Sequence, residues 1–208
     1  MNLKFRLSIA FLLSVLFLIG FSSIAIWVSA SDIIQFDRHI IAFVQGFETP
    51  ILTKIMKFFT FIGSTTPVIV ISFFVIIFLY TVLKHRRELV FFIGGLMGSV
   101  LLNHFLKVYF HRARPAFHRL IEIGGYSFPS GHAMSAFMVY GMITYLLWRH
   151  ISNRFGRIFL VIFSSCMIIG IGLSRIYLGV HYPTDILGGY LASGCWLAIC
   201  IWVFERYR

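Results

Sequence analysis

The sequence predicts an all-α membrane protein, a six-transmembrane-helix bundle with short interfacial helices between the first and second spans. Of the 208 residues, 59% are hydrophobic and only 12% are charged, and the mean hydropathy is +0.90. Soluble domains usually carry about 25% charged residues. The apolar stretches match the ~20 residues that a helical span needs. Because no repeat or long linker divides the chain, we expect one domain over residues 1–208.

Six apolar stretches are predicted to cross the bilayer. They cover residues 7–28, 65–83, 89–110, 131–148, 158–178 and 186–204. The first follows Lys4 and Arg6 and ends in Val28-Ser29-Ala30, which resembles a signal-peptidase site. Its apolar stretch is longer than the ~7–15 residues of a signal-peptide core. A retained first helix is therefore the favoured interpretation, with cleavage left as the alternative.

The connector at residues 31–64 is too polar to cross the bilayer. Its apolar residues recur at helical spacing up to Phe47, and a second short helix is expected after Pro50. That second helix would place Lys54 and Lys57 on one side and the apolar residues Ile51, Ile55 and Phe58 on the other. Such segments often lie in the membrane interface. A connector packed on the bundle and a role in gating the substrate are equal alternatives.

The basic residues predict the orientation of the chain. Counting faces by alternation puts ten on the side of the amino terminus: Lys4, Arg6, Lys84, Arg86, Arg87, Arg149, Arg154, Arg157, Arg206 and Arg208. The opposite loops hold six: Arg38, Lys54, Lys57, Arg112, Arg114 and Arg119. Positive charge accumulates on the cytoplasmic side. Both termini of a multi-pass cell-membrane protein are therefore expected in the cytoplasm.

Composition excludes several classes of function. The net charge of +11 is spread over loops between apolar spans, without the basic stripe expected of a nucleic-acid-binding protein. The three cysteines have neither zinc-site nor disulfide spacing. The seven carboxylates include no pair at metal-ligand spacing, so neither a metal site nor a cofactor is expected.

Polar residues cluster where alternate spans end and begin. Lys107 ends the third span, Ser130, Gly131 and His132 open the fourth, Arg175 ends the fifth, and His181 and Asp185 precede the sixth, with Arg114 in the loop after the third. Because successive spans cross the membrane in opposite directions, the ends of spans three and five and the starts of spans four and six lie on the same side. The charge count predicts that this is the outer side. Ionisable residues at membrane depth are costly and usually functional.

The chemistry of this set suits an anionic group with several oxygens. Three cations, Lys107, Arg114 and Arg175, face a single acid, Asp185. Arginine binds phosphate oxygens with two donors, and lysine adds a point charge. Backbone N–H groups at the helix start near Gly131 add donors aimed at an anion.

Three motifs carry a resemblance to a known family. Lys107, six residues and then Arg114-Pro115 resemble the first signature of the type 2 phosphatidic acid phosphatase (PAP2) superfamily. The sequence 129–132, Pro-Ser-Gly-His, matches the second signature. Ser174-Arg175, five residues, His181, three residues and Asp185 match the third. The motifs occur in the family's order and cover spans three to six.

The resemblance implies a mechanism. His181 would attack phosphorus and form a phosphohistidine, and Asp185 would orient its ring. His132 would act as general acid and then general base. The phosphate oxygens would be bound by Lys107, Arg114, Ser130, Gly131 and Arg175. These cations would replace a metal, so the expected enzyme is a metal-independent lipid phosphate phosphatase.

The sequence leaves several alternatives open. Phosphatidylglycerol phosphate, undecaprenyl diphosphate and phosphatidic acid all present a phosphate at the outer face, where the site is expected. A lipid phosphotransferase would use the same histidine, and a channel or anion-binding protein would use the cations without chemistry. Vanadium-dependent haloperoxidases share the motifs but are soluble. The lipid and the bilayer are the expected partners, without nucleic acid, and the oligomeric state is not determined.

Some polar residues are left outside the predicted site. His104 is expected to be packed or to line a pore. His111, Arg112, His118 and Arg119 are interpreted as loop residues, with contact to a lipid head group as the alternative.

Overall fold

Helices make up nearly all of the computed structural model, which describes residues 3–30, 33–82, 84 and 86–207. The described part contains eight α-helices and no β-strand. They are α1 (Leu3–Ser29), α2 (Ile34–Gln45), α3 (Pro50–Ile62), α4 (Thr65–Ile77, continued by a π-helical segment Phe78–Val82), α5 (Arg86–Phe110), α6 (Gly131–Leu147), α7 (Arg154–Tyr177) and α8 (Pro183–Tyr207). The all-α prediction is confirmed.

Local sequence explains where several helices begin. The Thr49 side chain caps α3 by accepting from Leu52 N at 3.2 Å, with Pro50 in the first helical position. The Asn153 side chain caps α7 through Gly156 N at 2.5 Å. Side-chain caps satisfy N–H groups that otherwise lack an intrahelical acceptor. Local side-chain capping therefore explains where α3 and α7 begin.

The predicted number of spans is not confirmed. Among the described residues, five helices are long and apolar enough to cross a membrane: Leu3–Ser29, Thr65–Val82, Arg86–Phe110, Arg154–Tyr177 and Pro183–Tyr207. The fourth predicted span, 131–148, corresponds to α6, which has 17 residues and a length of about 25 Å. α6 packs against α5, α7 and α8 and buries eight residues. The predicted end of the second span, Leu83, lies outside the described residues.

The connector between the first two long helices forms two helices, as expected. The exposed residues of α3 include Ile51 and Phe58 of its predicted apolar side, whereas its buried Met56 packs against Tyr177 of α7. Phe59 also lies against Gly170 of α7. α3 therefore packs against α7 through a third face.

The histidine at position 104 differs from its predicted environment. His104 is exposed on α5, where its ring makes an edge contact with Phe105. The expectation of a packed histidine is wrong, because the side chain lies on the exposed surface of α5.

Candidate active site

The ends of four helices meet at one end of the bundle, as the alternating topology predicts. Lys107 lies in the last turn of α5 and Arg175 in the last turn of α7. His132 is the second residue of α6 and Asp185 lies in the first turn of α8. Cations are favourable at helix carboxyl ends and carboxylates at amino ends. Lys107, Arg175 and Asp185 thus each lie at a helix end whose dipole stabilises their charge.

The two predicted catalytic residues of the third motif are in direct contact and buried. His181 Nδ1 lies 3.2 Å from Asp185 Oδ2, and the two side chains are 2% and 0% exposed. Asp185 Oδ2 also accepts from Tyr182 N at 2.9 Å and from the Ser127 hydroxyl. These donors hold the carboxylate in place beside the ring.

Arg114 contacts the other nitrogen of the same ring. Its Nη1 lies 3.0 Å from His181 Nε2 and 2.8 Å from the Val180 carbonyl. Arginine only donates hydrogen bonds, so Nε2 is the acceptor in this contact. Nδ1 must then carry the proton and donate to Asp185. The contacts select the tautomer that leaves the Nε2 lone pair facing the cations.

Burial shifts the pKa of both His181 and Arg114. Desolvation lowers the pKa of His181 from 6.5 to about 3, although Asp185 opposes the shift. Burial also lowers the pKa of Arg114 from its ordinary 12.5. Because burial disfavours the charged form of a base, His181 is neutral at neutral pH, which a nucleophilic nitrogen requires.

Arg175 is a buried cation whose hydrogen-bonding capacity is only partly used. The residue is 1% exposed, and its Nη1 donates to the Thr60 hydroxyl of α3. Within the part of the chain that the structure describes, its Nε and Nη2 have no hydrogen-bond partner. Buried polar groups are nearly always paired. Arg175 therefore has two buried donors at which an acceptor could be bound.

The second motif forms the amino end of α6 beside these groups. The Ser130 hydroxyl oxygen caps α6 by accepting from Ala133 N at 3.4 Å, and Ser130 N donates to the Asp185 carbonyl at 3.0 Å. A Cβ on Gly131 would lie 3.1 Å from Asn103 Oδ1. The close approach of α5 therefore favours glycine at this position.

His132 and Lys107 lie at the edge of the cluster and are only partly buried. His132 interacts electrostatically with Arg175, His181 and Arg114. The Lys107 ammonium donates to the Tyr126 carbonyl of the loop after α5. Lys107 in turn interacts electrostatically with Arg114, Asp185 and Arg175, so both groups belong to the same charged cluster as His181.

Arg112 lies inside this site, contrary to its interpretation as a loop residue outside it. Its Nη1 is 2.6 Å from Asp185 Oδ1 and its Nη2 is 2.8 Å from Asp37 Oδ2 of α2. Its guanidinium also stacks on the Tyr182 ring at 4.2 Å. Arg112 therefore holds the second oxygen of the carboxylate that contacts His181.

Asp37 is a further residue of the site that sequence reasoning missed. It is fully buried, and its carboxylate accepts from Thr184 N at 3.1 Å and from the Thr184 hydroxyl at 2.6 Å. A signal was available, because Asp37 is one of only seven acidic residues in the chain. A buried carboxylate needs a cationic partner.

The chain matches a known family and several characterised relatives. Residues 88–208 match the model of the PAP2 superfamily. Phosphatidylglycerophosphatase B of Bacillus subtilis is 41% identical over 93 residues, which are 43% of this chain and 45% of that protein. Lipid A 4'-phosphatase of Porphyromonas gingivalis is 28% identical over 178 residues, covering 76% of this chain and 68% of that protein. The match to the first relative thus spans less than half of its length.

Solved structures match over more of the chain. The crystal structure of a transmembrane PAP2-type phosphatidylglycerolphosphate phosphatase from Bacillus subtilis matches with a TM-score of 0.79 and 29% identity, over 94% of this chain and 96% of that one. Aquifex aeolicus LpxE matches with a TM-score of 0.61 and 25% identity, over 81% and 94% of the two chains. The helical arrangement described above is shared with these proteins.

Proposed function

Because this chain belongs to the PAP2 superfamily, we propose that it removes a terminal phosphate from a membrane lipid through a covalent phosphohistidine at His181. The orientation of the His181 ring carries this proposal. Nδ1 is held by Asp185 at 3.2 Å, and Nε2 faces Arg114 at 3.0 Å. The Nε2 lone pair thus points toward the cationic side of the site.

The first half-reaction transfers the phosphoryl group to the enzyme. The lipid phosphate enters between His181 and the cations and replaces His181 Nε2 as the acceptor of Arg114. Nε2 attacks phosphorus as the bond to the leaving oxygen breaks, and His132 supplies the proton to that oxygen. Asp185 stabilises the positive charge that develops on the His181 ring. The arriving phosphate dianion favours the protonated form of His132 that this step needs.

The second half-reaction returns the enzyme to its starting state. His132 removes a proton from a water molecule, whose oxygen attacks phosphorus while the bond to His181 Nε2 breaks. Inorganic phosphate is released. Arg114, Arg175 and Lys107 stabilise the oxygens in both transition states, and the Ser130 hydroxyl and Gly131 N–H add donors. Phosphoryl transfer depends mainly on such positioning and charge stabilisation, so we propose that no metal is required.

The relatives suggest which lipids to test first. Their names include phosphatidylglycerophosphatase B, a putative undecaprenyl-diphosphatase of Escherichia coli and lipid A phosphatases. We place the site at the outer membrane face, where the phosphates of such lipids would be presented. Phosphatidylglycerol phosphate is our leading candidate, with undecaprenyl diphosphate, phosphatidic acid and phosphorylated lipid A as the comparison set.

One experiment tests both the activity and the intermediate. Protein purified in detergent is given each lipid in excess chelator, and released phosphate is measured. In parallel, the reaction is quenched and probed for alkali-stable phosphohistidine. We expect phosphate release and phosphohistidine in the wild type and neither in His181→Ala.

The matched control is His104→Ala, because His104 is exposed outside the site. It should behave as the wild type. Activity that requires added metal, or that survives in His181→Ala, would contradict the proposed mechanism. Phosphohistidine without phosphate release, together with a phosphorylated second lipid, would indicate a transferase.

A further inference from the structure

A groove of about 510 Å³ runs between α1, α6 and α8, at the end of the bundle remote from His181. Glu205 lies at its polar end, twenty residues after Asp185 on α8. At 1.5 Å per residue these carboxylates are about 30 Å apart, which is about the hydrocarbon thickness of a bilayer. The groove and the candidate active site therefore belong to opposite ends of the membrane-spanning bundle.

The polar end of the groove contains more positive than negative charge. Arg6 Nη1 lies 3.4 Å from Glu205, and Arg149 Nη2 lies 3.7 Å from it. The Tyr145 hydroxyl also donates to Glu205 at 2.5 Å. Among the described residues of this cluster, two guanidinium groups thus share one carboxylate, an excess of one positive charge.

Two donors at this end are buried and unused. Arg6 Nε and Arg149 Nη1 are shielded from solvent and, among the residues that the structure describes, have no hydrogen-bond partner. Buried N–H groups of this kind call for an acceptor. An anion with several oxygens would satisfy both groups and neutralise the surplus charge. Phosphate has this geometry, and arginine binds it with two donors.

The remainder of the groove is apolar and ends at aromatic side chains. Phe17 and Phe137 close it in an edge-to-face contact with 6.3 Å between ring centroids. Phe17 lies eleven residues after Arg6 on α1, about 16 Å along the helix axis. One leaflet contributes about half of the ~30 Å hydrocarbon core. The apolar part therefore matches the depth that an acyl chain reaches from its head group.

We propose that this groove binds an acidic phospholipid of the adjacent leaflet, with its phosphate on Arg6 and Arg149 and an acyl chain extending toward Phe17. The surplus positive charge favours an acidic lipid over a zwitterionic one. Basic pockets between membrane-spanning helices are suited to such head groups. None of the candidate catalytic residues lines this groove, so the lipid site is independent of the proposed phosphatase activity.

Native mass spectrometry tests this site directly. Purified protein is incubated with equimolar dioleoyl phosphatidylglycerol and dioleoyl phosphatidylcholine in the presence of inorganic phosphate, and bound lipids are counted. Phosphatidylglycerol is a phosphodiester without a terminal phosphate, so it probes the groove rather than turnover. We expect preferential binding of phosphatidylglycerol, reduced in Arg6→Gln/Arg149→Gln by about fivefold for each arginine.

The control variant is Arg154→Gln/Arg206→Gln, which removes the same net charge from exposed residues that do not line the groove. It should keep the wild-type preference. A second variant, Glu205→Gln, leaves both arginines unneutralised and should bind phosphatidylglycerol more tightly than the wild type. Glu205→Gln is expected to strengthen phosphatidylglycerol binding, whereas the double arginine variant is expected to weaken it. The proposal can therefore still be tested if the double arginine variant folds poorly.

Two outcomes would overturn the proposal. One is equal lipid binding by the wild type and the Arg6→Gln/Arg149→Gln variant. The other is an equal loss in Arg154→Gln/Arg206→Gln, which would indicate a general charge effect. His181→Ala should bind phosphatidylglycerol as the wild type does, so failure of the phosphatase mechanism would not imitate failure of the lipid site.

Discussion

Asp37 and Arg112 form a buried ion pair, with 2.8 Å between Asp37 Oδ2 and Arg112 Nη2. Through the other nitrogen of the same guanidinium, Arg112 reaches Asp185 at 2.6 Å. α2, which lies between the first two long helices, is therefore connected to the carboxylate that contacts His181. Because Arg112 is a rigid planar fork, we expect a change at Asp37 to alter the position of Asp185.

Asp37→Asn should lower kcat more than it raises KM. The amide keeps a hydrogen-bond acceptor for Thr184 but removes one of the two carboxylate charges that contact Arg112. Asp185 is then left to neutralise the Arg112 guanidinium. We expect kcat to fall about tenfold, equivalent to about 1.4 kcal/mol of barrier, and unfolding to become easier by about 1–3 kcal/mol. Steady-state kinetics and thermal unfolding in detergent measure the two effects.

The control for Asp37→Asn is Glu48→Gln, because Glu48 pairs with His118 at a partly exposed site. It should leave kcat unchanged. Asp37→Glu should recover part of the lost activity, since it restores the charge. A change in stability without any change in kcat would show that Asp37 does not position the site.

Arg175→Gln should abolish the binding of a phosphate mimic. The Nε and Nη2 of Arg175, which have no hydrogen-bond partner among the described residues, are expected to donate to the entering anion. Loss of a comparable oxyanion donor costs a factor of about 10²–10³ in kcat. Orthovanadate should raise the unfolding temperature of the wild type and of the exposed-site control Arg154→Gln, but not that of Arg175→Gln. An equal rise in all three would contradict this role.

Acidification should destabilise the folded protein partly through His181. Its folded pKa of about 3 lies below the ordinary 6.5, so between these values the unfolded chain binds one more proton than the folded protein. The free energy of unfolding then falls as pH is lowered through this window, by about 1.4 kcal/mol per pH unit for one proton. Thermal unfolding between pH 7 and pH 4.5 measures the slope.

His181→Gln provides the comparison for that measurement. This variant has no imidazole to protonate, so its unfolding temperature should depend less steeply on pH over the same window. Identical slopes in the two proteins would mean that burial does not depress the His181 pKa. The test requires no substrate and is therefore independent of the proposed activity.

Cysteine labelling should show the catalytic end of the bundle on the outer face. Gly124 is exposed in the loop before α6 and Ser152 in the loop before α7, and these loops lie at opposite ends of α6. In a chain whose three native cysteines are replaced by serine, Gly124→Cys should react with a membrane-impermeant maleimide in intact cells. Ser152→Cys should react only after permeabilisation, and the reverse pattern would invert the proposed topology.

Much of the helical framework could be predicted from local composition. The backbone of a membrane segment must satisfy its hydrogen bonds internally, so long apolar stretches predict helices directly. The observed bounds of α1 and α7 lie within about four residues of the predicted bounds, the usual uncertainty of such predictions. The predicted number of six spans is not confirmed, because α6 is short and largely enclosed by its neighbours.

The grouping of the site could also be predicted, because it depends only on which helix ends share a face. Lys107, His132, Arg175 and Asp185 occupy alternate ends of successive spans, and the structure brings these ends together. Their catalytic and binding roles remain proposals. What the sequence could not provide was the hydrogen-bonding partner of each group, such as the Tyr126 carbonyl for Lys107.

The sequence by itself determined the all-α architecture, the family motifs and the end of the bundle where they meet, since these follow from hydrophobicity and chain alternation. Only the tertiary structure decided that Arg112 turns inward and that Asp37 joins it from a position 75 residues away. Local sequence does not encode which buried cation a carboxylate will meet. That choice depends on how α2 packs against the start of α8, where Thr184 and Arg112 together satisfy the oxygens of Asp37.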